Sequence, residues 1–171
     1  MREANTGIYA TLMNKKDAIE IRDALPQFCA RKDWTNPQAI TLTLKLSRLI
    51  DGVWFRLSQV DAQKNLRHLL NVLHKKLGAY GFPKRAHLQC VPIMEGHESV
   101  RPHIHLMLDR PPCIDADEYA ELIRVEWART FWGHEKVTIE PCHDEAGWLA
   151  YISKLRTKAE YADAIDWTNF R

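Results

Sequence analysis

Paired cysteines, long apolar runs and internal repeats are all missing from this sequence of 171 residues. Its four cysteines are scattered and form no CxxC pair, so no disulfide framework is predicted. No apolar run approaches the roughly 20 residues that cross a bilayer. The chain also opens without the basic and apolar pattern of a signal sequence, and we therefore expect a cytoplasmic protein with reduced thiols.

The length and a hydrophobic content of 46% fit one globular domain. Residues 14–30 have helical apolar spacing, and the breaks at Pro26 and at residues 34–37 separate them from the rest of the chain. We predict an N-terminal helical extension over residues 1–36 and one compact unit over residues 37–171.

Acidic side chains are scarce in the middle of the chain. Residues 41–90 contain nine Lys or Arg and two Asp or Glu, whereas residues 91–171 contain nine and fifteen. The net charge of +2 conceals this difference. A basic central segment suits a polyanion and a carboxylate-rich second half suits a bound cation, which is a combination that a nuclease needs.

Two elements of the central segment are clear from their spacing. Residues 39–47 alternate between apolar and polar side chains, which predicts a half-buried strand, and residues 61–80 carry a leucine stripe that predicts an amphipathic helix. Residues 53–55 fit either a short strand or a loop. Basic residues of this region are our candidates for DNA contacts: Lys45, Lys64, Arg67, Lys75, Lys76, Lys84 and Arg85.

The second half predicts a hairpin and two more helices. Residues 87–95 and 102–109 have strand character, and Pro92 favours a sheet edge or a bulge for the first of them. A helix over residues 115–131, a strand over 136–140 and a helix over 144–158 come next. This order predicts an α+β fold, with a central antiparallel sheet of about four to five strands flanked by helices that gather on one face.

A His-x-His motif lies in the second strand of that hairpin. Side chains two apart in a strand point to the same side, so His103 and His105 face one way while Ile104 faces the core. The hairpin brings Glu95 near His103, and we predict that Glu95 is the third metal ligand, with Glu98 and His97 as substitutes. Two imidazoles and a carboxylate suit a divalent cation such as Mn²⁺ or Mg²⁺.

A Tyr-x-x-Lys motif lies in the last predicted helix. Residues three apart share a helix face, so Tyr151 and Lys154 present a phenol and an ammonium together. A free phenol is a poor nucleophile near neutral pH, because its ordinary pKa is about 10. A metal that polarises a phosphate, with Lys154 beside the phosphate or the phenol, makes attack by Tyr151 feasible.

These motifs, in this order after the strand near residues 40–45, resemble the HUH endonucleases, specifically the rolling-circle replication initiators with a single catalytic tyrosine. The resemblance covers about residues 39–158. It implies a metal-dependent, strand-specific endonuclease that nicks single-stranded or hairpin origin DNA of a plasmid or phage and rejoins the strand later. It also implies that Tyr151 becomes linked to the 5′ phosphate, that Lys154 assists it, and that Glu95, His103 and His105 bind the metal.

The chain departs from some family members. Tyr161 lies ten residues beyond Tyr151, which disfavours a two-tyrosine mechanism, and the helicase phosphate loop GxxxxGK[ST] is missing. A host helicase and polymerase would then complete initiation, or the sequence is one domain of a longer protein. Two alternatives stay open: a single-tyrosine transposase of the same superfamily, and a non-catalytic module that binds or regulates an origin.

Overall fold

A computed structural model describes residues 24, 25, 27, 29, 33–96, 101–153 and 164–171 of the chain. Residues 24, 25, 27 and 29 are helical, as predicted for residues 14–30, and the rest of that segment lies outside the described residues. The strands are β1 (Pro37–Leu44), β2 (Ser47–Ile50), β3 (Val53–Arg56), β4 (Cys90–Glu95), β5 (His103–Asp109) and β6 (Gly133–Pro141). The helices are α1 (Gln59–Leu77), α2 (Ala116–Arg129) and α3 (Glu145–Ile152).

Four strands form one antiparallel sheet in the order β4-β5-β1-β6. The predicted α+β class with a central antiparallel sheet is confirmed. The alternation in β1 buries Ile40 and Leu42 on one face, so Thr41 lies on the other. A bulge separates Leu42 from Leu44 in the pairing with β6, and there the carbonyl of Thr43 accepts a hydrogen bond from the Trp127 indole at 2.9 Å.

Helix α1 begins with a capping box. The Ser58 hydroxyl accepts a hydrogen bond from the Asp61 amide at 3.1 Å, and the Asp61 carboxylate accepts one from the Ser58 amide. The leucine stripe of α1 is buried, as the spacing predicted, and a 3₁₀ turn at Gly78–Tyr80 continues the helix. None of the described helices is long and apolar enough to span a membrane.

The sheet is covered on both faces by different elements. Leucines of α1 and Trp127 of α2 pack on the face that carries Ile40 and Ile104. Leu149 and Ile152 of α3 belong to a second buried cluster, with sheet residues of the opposite face such as Ile93 and Met107. The prediction that the helices gather on one face is therefore wrong for α3, because β4 and β5 are apolar on both faces and the side bearing Met107 also needs a cover.

Residues 53–55 form a strand. They belong to β3, which pairs with β2 in a separate two-stranded sheet. The turn between them contains Asp51 and Gly52, both with positive φ, at 49° and 79°. Such a turn matches the right-handed twist of a tight hairpin.

Strand β4 is an edge of the four-stranded sheet, as Pro92 predicted. Residues 164–171 run beside it: Cys90 and Arg171 exchange two backbone hydrogen bonds of 2.9 Å, and the carbonyl of Pro92 accepts one from the Asp166 amide at 3.1 Å. Most of this edge is therefore covered rather than open to another strand.

The hairpin of β4 and β5 depends on Gly96. Its φ is 137°, and a Cβ there would lie 2.6 Å from the Cα of Pro102. We expect Gly96→Ala to lower the free energy of unfolding by about 2–4 kcal/mol, because the substitution combines backbone strain with a clash. Urea denaturation measures this change.

Gly78→Ala is the matched control. Gly78 has a helical φ of −57°, and no heavy atom lies within 4 Å of the position that a Cβ would take. Alanine should therefore leave stability unchanged or raise it slightly. Equal stabilities for the two variants would show that Gly96 is not required by the turn.

Candidate metal centre and tyrosine helix

Three side chains converge where β4 and β5 meet their connecting loop. Glu95 pairs directly with His103, and His105 lies two residues further along the same face. The Oε2 atom of Glu95 is 3.0 Å from Nε2 of His105 and 3.6 Å from Nε2 of His103, and the two Nε2 atoms are 3.2 Å apart. Glu95, His103 and His105 therefore form a cluster that could hold a metal ion.

The far side of each imidazole is also held. Nδ1 of His103 lies 3.0 Å from the carbonyl oxygen of Arg101, so that nitrogen must carry the proton it donates. Nδ1 of His105 lies 3.0 Å from the Thr41 hydroxyl of the neighbouring strand. Partners of this kind orient a ring and leave its Nε2 lone pair for a cation.

The donor set fits a divalent cation. Ligand atoms that share one such ion at about 2.0–2.2 Å lie about 3.0–3.5 Å from one another, close to the separations in this cluster. Two imidazoles and one carboxylate on one side of an ion are the arrangement of a catalytic centre with open positions. His105 is buried while Glu95 and His103 are partly exposed, so the cluster opens to solvent on one side.

Helix α3 covers this face of the sheet with two aromatic rings. The Asp144 carboxylate caps it by accepting a hydrogen bond from the Gly147 amide at 2.8 Å, and Leu149 and Ile152 anchor it in the core. Trp148 and Tyr151 of the same helix stack with their ring centroids 5.5 Å apart. The Tyr151 ring centroid lies 5.9 Å from that of His105, and 51% of the tyrosine is exposed.

Several predicted site residues lie outside the described residues. Lys154 follows the last described residue after α3, and His97 and Glu98 belong to residues 97–100. Tyr161 lies in residues 154–163. Their proposed roles stay predictions.

Most of the predicted DNA contacts lie away from the cluster. Lys64, Arg67, Lys75 and Lys76 belong to α1, on the opposite face of the sheet. The guanidinium of Arg67 donates to Asn169, and Lys76 pairs with Glu126 at 3.0 Å. Beyond α1, Lys84 and Arg85 are exposed, and Lys45 follows β1 and is half-buried. Contacts of all seven side chains with DNA stay predictions.

Burial makes Glu126 dependent on its basic neighbours. Desolvation alone would raise the pKa of this carboxyl, but Lys76 and Arg129 outweigh it and lower the pKa below its usual value. Lys76 therefore contributes to an ion pair between α1 and α2, a structural role that the sequence did not indicate.

Sequence reasoning missed two neighbours of the cluster. Thr41 lies on the predicted polar face of β1, but its contact with His105 depends on the register between β1 and β5, which pairs the two residues. Trp148 lies one turn before Tyr151, and that spacing is the signal that could have identified it. Cys142, also in the second buried cluster, keeps its proton because burial raises the pKa of its thiol.

An α+β protein with a His-x-His candidate metal centre facing a tyrosine-bearing helix is the class that this fold and cluster define. The family model of the replication-associated protein ORF2 matches residues 37–156, which is most of the chain. The chain belongs to this family of replication-associated proteins. The matched range contains the cluster and all of α3.

One curated protein with similarity to the chain is a histone transcription regulator 3 homolog of Aspergillus fumigatus. It is 24% identical over 137 residues, which cover 80% of this chain but only 6% of that protein. The similarity is too low and too partial to carry a function across. None of the solved structures matches the chain significantly.

Proposed function

We propose that this protein is a metal-dependent, site- and strand-specific DNA endonuclease of the HUH type that initiates rolling-circle replication. The observation that carries the proposal is the convergence of Glu95, His103 and His105 beside the ring of Tyr151. The replication-associated family supports replication as the setting, and it favours this interpretation over transposition.

Tyr151 is the proposed nucleophile. Its Oη atom attacks the phosphorus of one phosphodiester, the bond from phosphorus to the 3′ oxygen breaks, and the 3′ hydroxyl leaves with a proton. The 5′ phosphate then remains on the tyrosine as a phosphodiester. The reverse attack by a 3′ hydroxyl releases Tyr151 and rejoins the strand, with no external energy source.

Glu95, His103 and His105 would hold the divalent cation, which would supply Lewis-acid polarisation of the scissile phosphate. One hard carboxylate and two imidazoles suit Mn²⁺ or Mg²⁺. The Arg101 carbonyl and the Thr41 hydroxyl would keep the two imidazoles oriented.

Two further residues would assist the nucleophile. Trp148 would fix the direction of the Tyr151 ring by stacking against it. Lys154 would favour the phenolate or contact the phosphate.

The proposed substrate is single-stranded or hairpin origin DNA of a plasmid or phage replicon in the cytoplasm of its host. A host helicase would unwind the DNA, and a polymerase would extend the released 3′ hydroxyl.

A covalent-adduct assay tests the proposal directly. Single-stranded oligonucleotides that tile the DNA around the gene are incubated with the protein and Mn²⁺, and adducts are separated by denaturing electrophoresis. We expect one oligonucleotide to form an adduct that EDTA prevents. No adduct on any tile, as single strand or as folded hairpin, would overturn the proposal.

Thr41→Val tests the orientation of His105. Removing the hydroxyl takes away the partner of Nδ1, and we expect the affinity for Mn²⁺ to fall about tenfold or more. Isothermal titration measures it, with Thr138→Val as control, since Thr138 pairs with Thr41 on the next strand and is exposed. Equal affinities for both variants would remove Thr41 from the site.

A further inference from the structure

The hairpin of β2 and β3 exposes apolar side chains that the proposed chemistry does not use. All eight of its residues are exposed or half-buried. Trp54 is 69% exposed, Leu49 is 55% exposed and Phe55 is 47% exposed. A folded domain rarely leaves a tryptophan and its apolar neighbours in water without a binding role.

The strand register divides these side chains between two faces. Leu49 pairs with Trp54 and Ser47 pairs with Arg56, so a tryptophan, a leucine and an arginine share one face. We call this face, formed by Ser47, Leu49, Trp54 and Arg56, the hairpin patch.

The other face of the hairpin is attached to the domain. Arg48 lies over the Phe131 ring, 4.3 Å from its centroid, and its guanidinium donates a hydrogen bond to the Phe131 carbonyl. Because side chains alternate along a strand, this attachment leaves the hairpin patch on the side turned away from Arg48.

The hairpin patch arises at the end of the sheet that carries the metal cluster. Thr43 of β1 pairs with His103, and the next amide, that of Leu44, donates to the Pro102 carbonyl at 2.9 Å. Strand β2 begins three residues later, at Ser47. A DNA strand bound near His103 has only a short distance to cover before it reaches the hairpin.

Charge identifies the kind of partner. Residues 45–56 contain Lys45, Arg48 and Arg56, and Asp51 in the turn is their one acidic residue. A second copy of the chain would bring the same arginines against each other across a symmetric contact, which disfavours self-association. An exposed aromatic ring beside cationic side chains suits unpaired bases and their phosphates.

We propose that the hairpin patch binds single-stranded DNA that leads into the metal cluster, with a base stacked on Trp54 and a phosphate at Arg56. This inference rests on the proposed function, because it concerns how the same DNA strand is held. It assigns strand capture to β2 and β3 and leaves the chemistry to the metal cluster and Tyr151.

Fluorescence anisotropy with a labelled thymidine homopolymer tests the patch separately from cleavage. The assay is done in EDTA, so it requires neither an origin nor a metal. We expect Trp54→Ala to weaken binding about tenfold and Trp54→Phe to weaken it less than about threefold, since a smaller ring still stacks. Arg56→Gln should reduce the slope of log affinity against log salt by about 0.7.

Tyr80→Ala is the control, because Tyr80 is an exposed aromatic residue beyond the C-terminal end of α1. It should bind like the wild type. Equal affinity of Trp54→Ala and the wild type would overturn the inference, as would an equal loss for duplex and single-stranded DNA. A change in oligomeric state with unchanged DNA affinity would overturn it too and assign the patch to self-association. Each of these results leaves the adduct assay, and so the proposed function, independently testable.

Discussion

Tyr151→Phe is expected to abolish both DNA cleavage and adduct formation, lowering the cleavage rate by at least about 1,000-fold. The substitution removes only the hydroxyl that attacks phosphorus. The ring that stacks on Trp148 and approaches His105 is kept, so the fold and the metal cluster should be unchanged. Gel assays of cleavage with the oligonucleotide that forms the adduct measure the effect.

The matched control for this prediction is Tyr80→Phe. Tyr80 is also partly exposed, and its hydroxyl donates to Glu118 far from the cluster, so cleavage should stay at the wild-type rate. Cleavage that persists in Tyr151→Phe would show that water or another side chain is the nucleophile. The covalent mechanism would then be wrong even if the metal cluster is correct.

His105→Ala is expected to lower cleavage by about 1,000-fold or more while single-stranded DNA affinity changes less than about threefold. The substitution removes one of three ligands and the contact with Thr41. Phosphate contacts, rather than the metal, should dominate binding, because counterion release supplies most of the affinity. Cleavage and anisotropy assays on the same oligonucleotide separate the two effects.

His68→Ala is a suitable control, since His68 is exposed on α1 across the sheet from the cluster. It should leave both quantities unchanged. If His105→Ala loses binding and cleavage in equal proportion, the histidines support DNA binding or the fold rather than catalysis. The non-catalytic origin-binding module would then be the better description.

The local features of the fold could be predicted from the sequence because they depend on spacing alone. The alternation in β1, the leucine stripe of α1 and the hairpin of β4 and β5 each follow from which side chains must be buried. Glu95 was placed beside His103 for the same reason, since a short loop restricts the register of a hairpin.

Features that depend on packing between distant elements could not be predicted. The sheet order places β1 beside β5, and only that pairing brings Thr41 to His105. The position of α3 on the other face of the sheet follows from a second apolar cluster built from separate parts of the chain. Periodicity within one segment contains no information about which segment covers it.

The most direct test of the central claim is to identify the residue that carries the DNA. The adduct formed by the full chain with Mn²⁺ is digested with protease and nuclease, and the modified peptide is sequenced by mass spectrometry. We predict a nucleotide 5′ phosphate linked to Tyr151, with a free 3′ hydroxyl on the released strand. Attachment at any other residue, or a 3′ phosphate on that released strand, would contradict the account.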